Sequence, residues 1–245
     1  MSQKNIFDYI KEDNLEKVKE LVEKDETIVN SIAPQKPYDT RGMSPFQVSL
    51  CTCWHREISM FLLKHNPDIN FIANDRTKHP EIRPVLFDCV RNALWHTRRL
   101  DYNVETEEFN WTSSNEMQKE SFDILVEVVN RGANVNAVDE CNRNSLFDAV
   151  GEINMIYQTN HETNTFYPQR QKLENETLEQ YRKILKLLIN NGADKNSTSS
   201  FSKTNIKETY QNELIWKYIG DMWEWVRLLK TARWKYKLIK YRMKK

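Results

Sequence analysis

Ile124-Leu-Val-Glu-Val-Val-Asn-Arg-Gly-Ala-Asn-Val-Asn136 and Ile184-Leu-Lys-Leu-Leu-Ile-Asn-Asn-Gly-Ala-Asp-Lys-Asn196 are two copies of one pattern. In each, apolar residues recur at helical spacing and then stop at a glycine and a short polar turn. Glycine is the usual residue just past a helix end, because it takes a positive φ without a Cβ clash. Weaker copies of the amphipathic run are Leu15-Glu-Lys-Val-Lys-Glu-Leu-Val22 and Ile58-Ser-Met-Phe-Leu-Leu63. The second of these runs into Asn66-Pro-Asp-Ile-Asn70, where Asn66 stands in for glycine. Asparagine is the next-best residue for that conformation.

A hexamer precedes each run. It reads Asn5-Ile-Phe-Asp-Tyr-Ile10, Pro45-Phe-Gln-Val-Ser-Leu50, Val85-Leu-Phe-Asp-Cys-Val90 and Ser145-Leu-Phe-Asp-Ala-Val150, with a weaker copy at Leu214-Ile-Trp-Lys-Tyr-Ile219. Its second, fifth and sixth residues fall on one helical face. A short inner helix followed by an outer helix and a turn is therefore predicted for each copy. Asp8, Asp88 and Asp148 recur at one place in the hexamer and are expected as an exposed, structural row on successive inner helices.

These strings resemble ankyrin repeats, whose pattern is a D-x-x-G-x-T-P-L-H turn, a helix, an E-I-V-x-L-L-L helix and a G-A-D-V-N stop. Asp39, Gly42, Ser44, Pro45, Phe46 and Gln47 match the first part in one repeat, and Asp139, Asn142, Asn144, Ser145, Leu146 and Phe147 match it in another. The resemblance covers nearly the whole chain. It implies an all-α, ankyrin-like helical-repeat solenoid forming a single domain over 1–245, with repeats at about 4–34, 39–72, 75–138, 139–198 and 199–230 and a basic C-terminal extension at 231–245. Strands are expected to be absent or very short. The core is expected to include Leu21, Phe46, Leu62, Leu86, Leu125, Leu146, Leu185, Leu188 and Ile215.

The turn asparagines stand at 30, 70, 136 and 196, at intervals of 40, 66 and 60. The family period is about 33. Repeats 3 and 4 therefore carry insertions between inner and outer helix, at Trp95–Glu116 and Met155–Asn175. Part of each insertion is expected to extend the inner helix, leaving roughly thirteen to twenty residues as loop, a length that is uncommon and tends to be functional or disordered.

Only 5 glycines and 7 prolines in 245 residues argue against a turn-rich β fold. The N-terminus, Met1-Ser-Gln-Lys-Asn-Ile, lacks the basic and apolar regions of a secretory signal. No stretch approaches the roughly 18 apolar residues of a membrane span. Four sparse cysteines then read as free thiols, and a cytoplasmic location is expected. The overall charge of +1 conceals an asymmetry: residues 226–245 hold nine Lys or Arg and no acid, so the remainder is net −8. Val226, Leu229, Trp234, Leu238 and Tyr241 interleave those cations at mostly helical spacing, which predicts a basic amphipathic helix docked on repeat 5.

Catalytic motifs are missing. There is no Gly-rich phosphate loop and no nucleophile elbow. Cys51-Thr-Cys53-Trp-His55 has ligand chemistry, but residues two apart on a helix diverge and no second pair completes four ligands. No cofactor, no metal site and no enzymatic activity are expected. The resemblance implies a module that binds another protein, sequestering or inhibiting it. An immunity protein that neutralises a cognate, basic toxin domain is its most specific form. The alternative is nucleic-acid or anionic-membrane binding through the basic C-terminal helix. The expected partner contacts are Arg41, Lys78, Glu140, Arg143 and Lys203 at the turn tips, with Tyr102, Glu107, Glu108 and Trp111 from the first insertion. Aromatics there supply contact area at low entropic cost, and the acids steer a basic partner.

Overall fold

The computed structural model of the chain describes residues 4–34, 40–51, 54–73, 82–98, 100–103, 108–111, 113–162 and 170–223. The expected basic helix at 226–245 lies outside them. The described residues are mostly helical. Helices α1 (Ile6–Lys11), α3 (Pro45–Cys51), α5 (Val85–Trp95), α7 (Ser145–Glu162) and α9 (Ile206–Tyr210) alternate with α2 (Leu15–Lys24), α4 (Arg56–Lys64), α6 (Asn115–Asn130) and α8 (Arg170–Asn190), and α10 (Trp216–Ile219) follows. A 3-10 helix, Glu26–Asn30, follows α2.

The packing order follows the alternation. Helix α1 packs on α3, α3 on α5, α5 on α7 and α7 on α9, while α2, α4, α6 and α8 pack on the inner helix that precedes each. The apolar positions of the hexamers and outer runs meet in one continuous core. Phe46, Leu62, Leu86, Leu125, Leu146, Leu185, Leu188 and Ile215 are buried as expected, whereas Leu21 is only partly covered.

The helix starts are built by the residues just before them. At α1, Asn5 and Asp8 form a reciprocal cap, and at α9 Asn205 and Glu208 do the same. At α3, Ser44 Oγ accepts from the Gln47 N–H while Gln47 Oε1 accepts from the Ser44 N–H. The turns before these starts hold Gly42, Asn142 and Lys203 at positive φ, each two residues ahead of the capping residue. The stops after α4, α6 and α8 hold Asn66, Gly132 and Gly192 at φ 52, 92 and 92.

Three expectations need correction. The last inner helix is α9, which packs on α7, and not Leu214–Ile219, of which Trp216–Ile219 forms the separate four-residue α10. The second insertion is not a long loop: α7 and α8 run through it and leave only 163–169 between them. The first insertion is a β-hairpin, with β3 (Leu100–Asn103) antiparallel to β4 (Glu108–Trp111) and Leu100 opposite Trp111, Asp101 opposite Asn110, Tyr102 opposite Phe109, and Asn103 opposite Glu108. A second ladder, β1 (Ile72–Ala73) with β2 (Arg83–Pro84), is only two residues long. Strands are thus very short, as expected.

Candidate partner-binding surface

The recurrent aspartates are not an exposed row. Asp88 and Asp148 are buried, and Asp8 is half-buried within its cap. Each buried carboxylate sits in the first turn of an inner helix and is neutralised by arginine. Arg83, just before α5, approaches Asp88 at 2.5 Å, and Gln47 and the Cys51 thiol donate to the same carboxylate at 2.8 and 3.0 Å. One helix later, Arg91 of α5 spans to Asp148 of α7 through Nε and Nη2 at 3.1 and 2.7 Å. Its Nε lies 3.2 Å from Glu152, whose other oxygen accepts from the Trp95 indole at 3.2 Å. The ion pairs therefore tie neighbouring inner helices together.

The electrostatics follow the geometry. Burial is the largest influence on Arg83 and disfavours its charge, but Asp88 and Cys51 together outweigh it and raise the arginine's pKa; Asp148 and Glu152 together do the same for Arg91. Burial raises the Glu152 carboxyl above its ordinary range, with Arg91 opposing. At Cys51, desolvation of the sulfur and the nearby Asp88 carboxylate push the thiol well above its usual value, and burial does so for Cys89. Both are held as thiols, the unreactive form. A cleft of about 270 Å³ opens beside this network, lined by Cys51, Trp54, Arg83, Arg91, Trp95 and His96 among others. The Trp54 and His96 rings stand 4.5 Å apart on its wall.

Cys51 and His55 are not brought together. The sulfur faces Asp88 and Arg83, whereas His55 Nδ1 is 3.0 Å from Asp13. Among the described residues no group of His, Cys, Asp or Glu is arranged to hold a metal ion. No helix among them is long and apolar enough to cross a membrane.

The turns carry a second feature. Two residues after the turn asparagines Asn30, Asn70 and Asn136 stand Ile32, Ile72 and Val138, all exposed. Beyond them, Phe201 at the tip of the last turn is 90% exposed. Adjacent turns are hydrogen-bonded to one another, so Ile32, Ile72 and Val138 recur at one place in successive turns, while Thr198 takes that place in the last and Phe201 stands nearer its tip.

The expected contact residues are distributed unevenly. Arg41 is half-buried in the turn before α3. Glu140 is exposed at a turn tip. Arg143 is bound by Asp139 of its own turn at 2.6 and 2.8 Å, which occupies its guanidinium. Lys203 is exposed, on the left-handed backbone of its turn. Tyr102 belongs to β3, and Glu108 and Trp111 to β4. Lys78 and Glu107 lie outside the described residues. Glu140 and Lys203 are thus exposed in the turns that also hold Val138 and Phe201, while the hairpin residues belong to a separate element. Sequence reasoning missed Arg83, Arg91 and Trp95. The available signal was Arg91, three residues after Asp88, on the face that meets the next helix.

A scan against models of known protein families and a search of curated proteins both found no match.

Proposed function

We propose that this chain is a non-catalytic binding module built as a single ankyrin-like stack, which captures and sequesters one partner protein along its turn edge. The observation that carries this reading is the recurrence of Ile32, Ile72 and Val138, exposed at the same place in successive turns, with Phe201 exposed at the tip of the last turn. Scattered apolar residues on a surface need no explanation, but exposed apolar residues recurring at one backbone position of successive turns support an interaction site. The internal saturation of the charged network agrees with it. Arg83, Arg91, Asp88 and Asp148 are engaged in joining helices, and both described inner-helix thiols are held protonated. An immunity protein directed at a basic toxin remains the most specific form of the proposal, supported by the acids of the first insertion.

The test is affinity capture from the native source with the intact chain and with the double variant Ile72→Glu/Val138→Glu. The substitutions sit at exposed positions, so helicity and melting should be unchanged. One protein retained by the parent and released by the variant is the expected result. Equal retention by both places the site elsewhere.

A further inference from the structure

Two polar atoms beside the inner-helix ion pairs stand open. Among the described residues, Arg83 Nε and Asn92 Oδ1 are buried and make no hydrogen bond. Buried polar atoms are ordinarily paired, so each exception calls for a reason. The rest of both side chains is fixed. Arg83 Nη2 lies 2.5 Å from Asp88 and 2.8 Å from the Cys51 sulfur. Asn92 is only 5% exposed, and its Nδ2 donates to the Leu50 carbonyl at 3.4 Å, which leaves the amide oxygen as the open atom. Both residues line the cleft of about 270 Å³ formed by the end of α3, Trp54, Arg83 and one stripe of α5. Asp88, Arg91, Asn92 and Trp95 follow at the three- and four-residue spacing that shares one helix face. Asp88, which holds Arg83, and Asn92 are one turn apart, about 6 Å along the axis, so the two open atoms are within reach of the edge groups of one ring.

The remaining wall is aromatic, from Trp54, Trp95 and His96. Trp54 Nε1 donates to Ser59 Oγ at 3.1 Å and Trp95 Nε1 to Glu152 at 3.2 Å, so the two indoles bring ring surface to the cleft and spend their donors elsewhere. The cleft therefore selects on three counts. Its volume lies just under the roughly 300–1,000 Å³ of ordinary small-molecule sites, which suits a single ring and excludes a nucleotide. Both of its arginines are matched by carboxylates, Arg83 by Asp88 and Arg91 by Asp148 and Glu152, which favours an uncharged ligand. Aromatic walls reward a flat body more than a chain of methylenes, because ring faces stack. We propose that this cleft binds a small, uncharged, planar ring whose edge offers a carbonyl oxygen to Arg83 Nε and an N–H to Asn92 Oδ1, the edge chemistry of a pyrimidine lactam. The site is separate from the turn edge, so it stands or falls apart from partner capture.

The experiment titrates uracil into the intact chain and follows backbone and indole N–H resonances by heteronuclear NMR. Shifts confined to α3, α5 and the Trp54 and Trp95 indoles are expected, with a dissociation constant on the order of 1 mM, as suits so few contact atoms. Two controls separate the parts of the ligand. Doubly N-methylated uracil keeps the ring and its carbonyls but has no N–H, and propionamide keeps an amide without the ring; each should bind about tenfold more weakly. Equal binding of the methylated ring means that Asn92 is not read, and equal binding of propionamide means that the ring is not; either overturns the proposal. So does the absence of shifts at a uracil concentration about ten times the expected constant, since the cleft then holds water alone. Asn92→Leu should abolish the shifts while leaving the spectrum elsewhere intact. Should that variant fail to fold, Trp95→Ala decides, at a position 43% exposed. Binding at the parent level in a folded variant of either kind overturns the proposal, and its loss supports it.

Discussion

Asn70 spans from its own turn to the next: its Oδ1 accepts the Asn134 backbone N–H at 2.7 Å, and its Nδ2 donates to the Gly132 carbonyl at 3.3 Å. Asn136 repeats the arrangement on Asp194 and Gly192 at 2.7 and 2.9 Å, and Asn30 makes the first half of it on Asp68 at 2.7 Å. Each asparagine thus satisfies backbone groups of the following turn that the helix end leaves unpaired. Asn136 Oδ1 also accepts from Asn144 Nδ2 at 3.3 Å, so Asn136→Ala should lower stability by about 1–3 kcal/mol, the worth of three modest hydrogen bonds. Asn136→Asp keeps the acceptor and should cost less. Urea unfolding monitored by circular dichroism would separate the two. A loss equal in both variants would mean that the accepted N–H bond contributes nothing.

Arg91 is the cation for two carboxylates on the next helix. Arg91→Leu removes the guanidinium hydrogen-bonded to buried Asp148, leaving only the more distant Arg143 nearby among the described residues, and about 3 kcal/mol should be lost at neutral pH. The sign of the pH dependence follows. Burial already holds the neighbouring Glu152 carboxyl above its ordinary range with Arg91 opposing, so without the guanidinium its neutral form is favoured further, and stability falls as pH rises through that raised interval. Adding Asp148→Asn should restore much of the loss. Denaturant midpoints across pH 4–8 for the single and double variants would check this.

Asp221 behaves oppositely. The Arg182 guanidinium holds its carboxyl below the ordinary aspartate range. Its contribution is fully present above the unfolded value near 4 and is lost as pH falls through the lower folded value. Asp221→Asn should therefore be less stable than the parent at pH 7, with the two curves converging toward pH 2. A constant gap across the acid limb would contradict the pairing.

Lys203 holds φ 56 in its turn, where Gly42 holds φ 73 and Asn142 holds φ 60 in theirs. A side chain with a Cβ is strained in this region, and glycine is not. Lys203→Gly should raise stability by about 0.5–1 kcal/mol, less than the strain relieved because glycine adds freedom to the unfolded chain. Thermal unfolding would check it. The same variant reports on partner binding, since it removes an exposed cation from the turn edge.

What could be seen in advance follows from how local each signal is. The turn asparagines and the glycine stops are set by backbone chemistry within a few residues, and their spacing exposed the helix pairs. Burial of Asp88 and Asp148 depends on arginines and on the neighbouring inner helices, beyond any local pattern; Arg91 lies 57 residues from Asp148. Helix α9 was hidden because, of Ile206–Tyr210, only Ile206 is buried and Lys207 and Glu208 interrupt the apolar pattern. The more apolar Leu214–Ile219 drew the assignment instead. The hairpin was legible after all: Leu100-Asp-Tyr-Asn103 and Glu108-Phe-Asn-Trp111 each alternate with a period of two, on segments too short to stand out from loop.

The line of turn asparagines also has a mechanical meaning. Each rung among the described residues joins one turn to the next. Tension applied between the ends would therefore load the rungs in series. Each would yield at its own modest force, in the manner of a zipper opened tooth by tooth, instead of all resisting together as the strands of a sheared sheet do. The rungs alone would then give way one turn at a time, while the shared core and the arginine–aspartate pairs between inner helices resist separately.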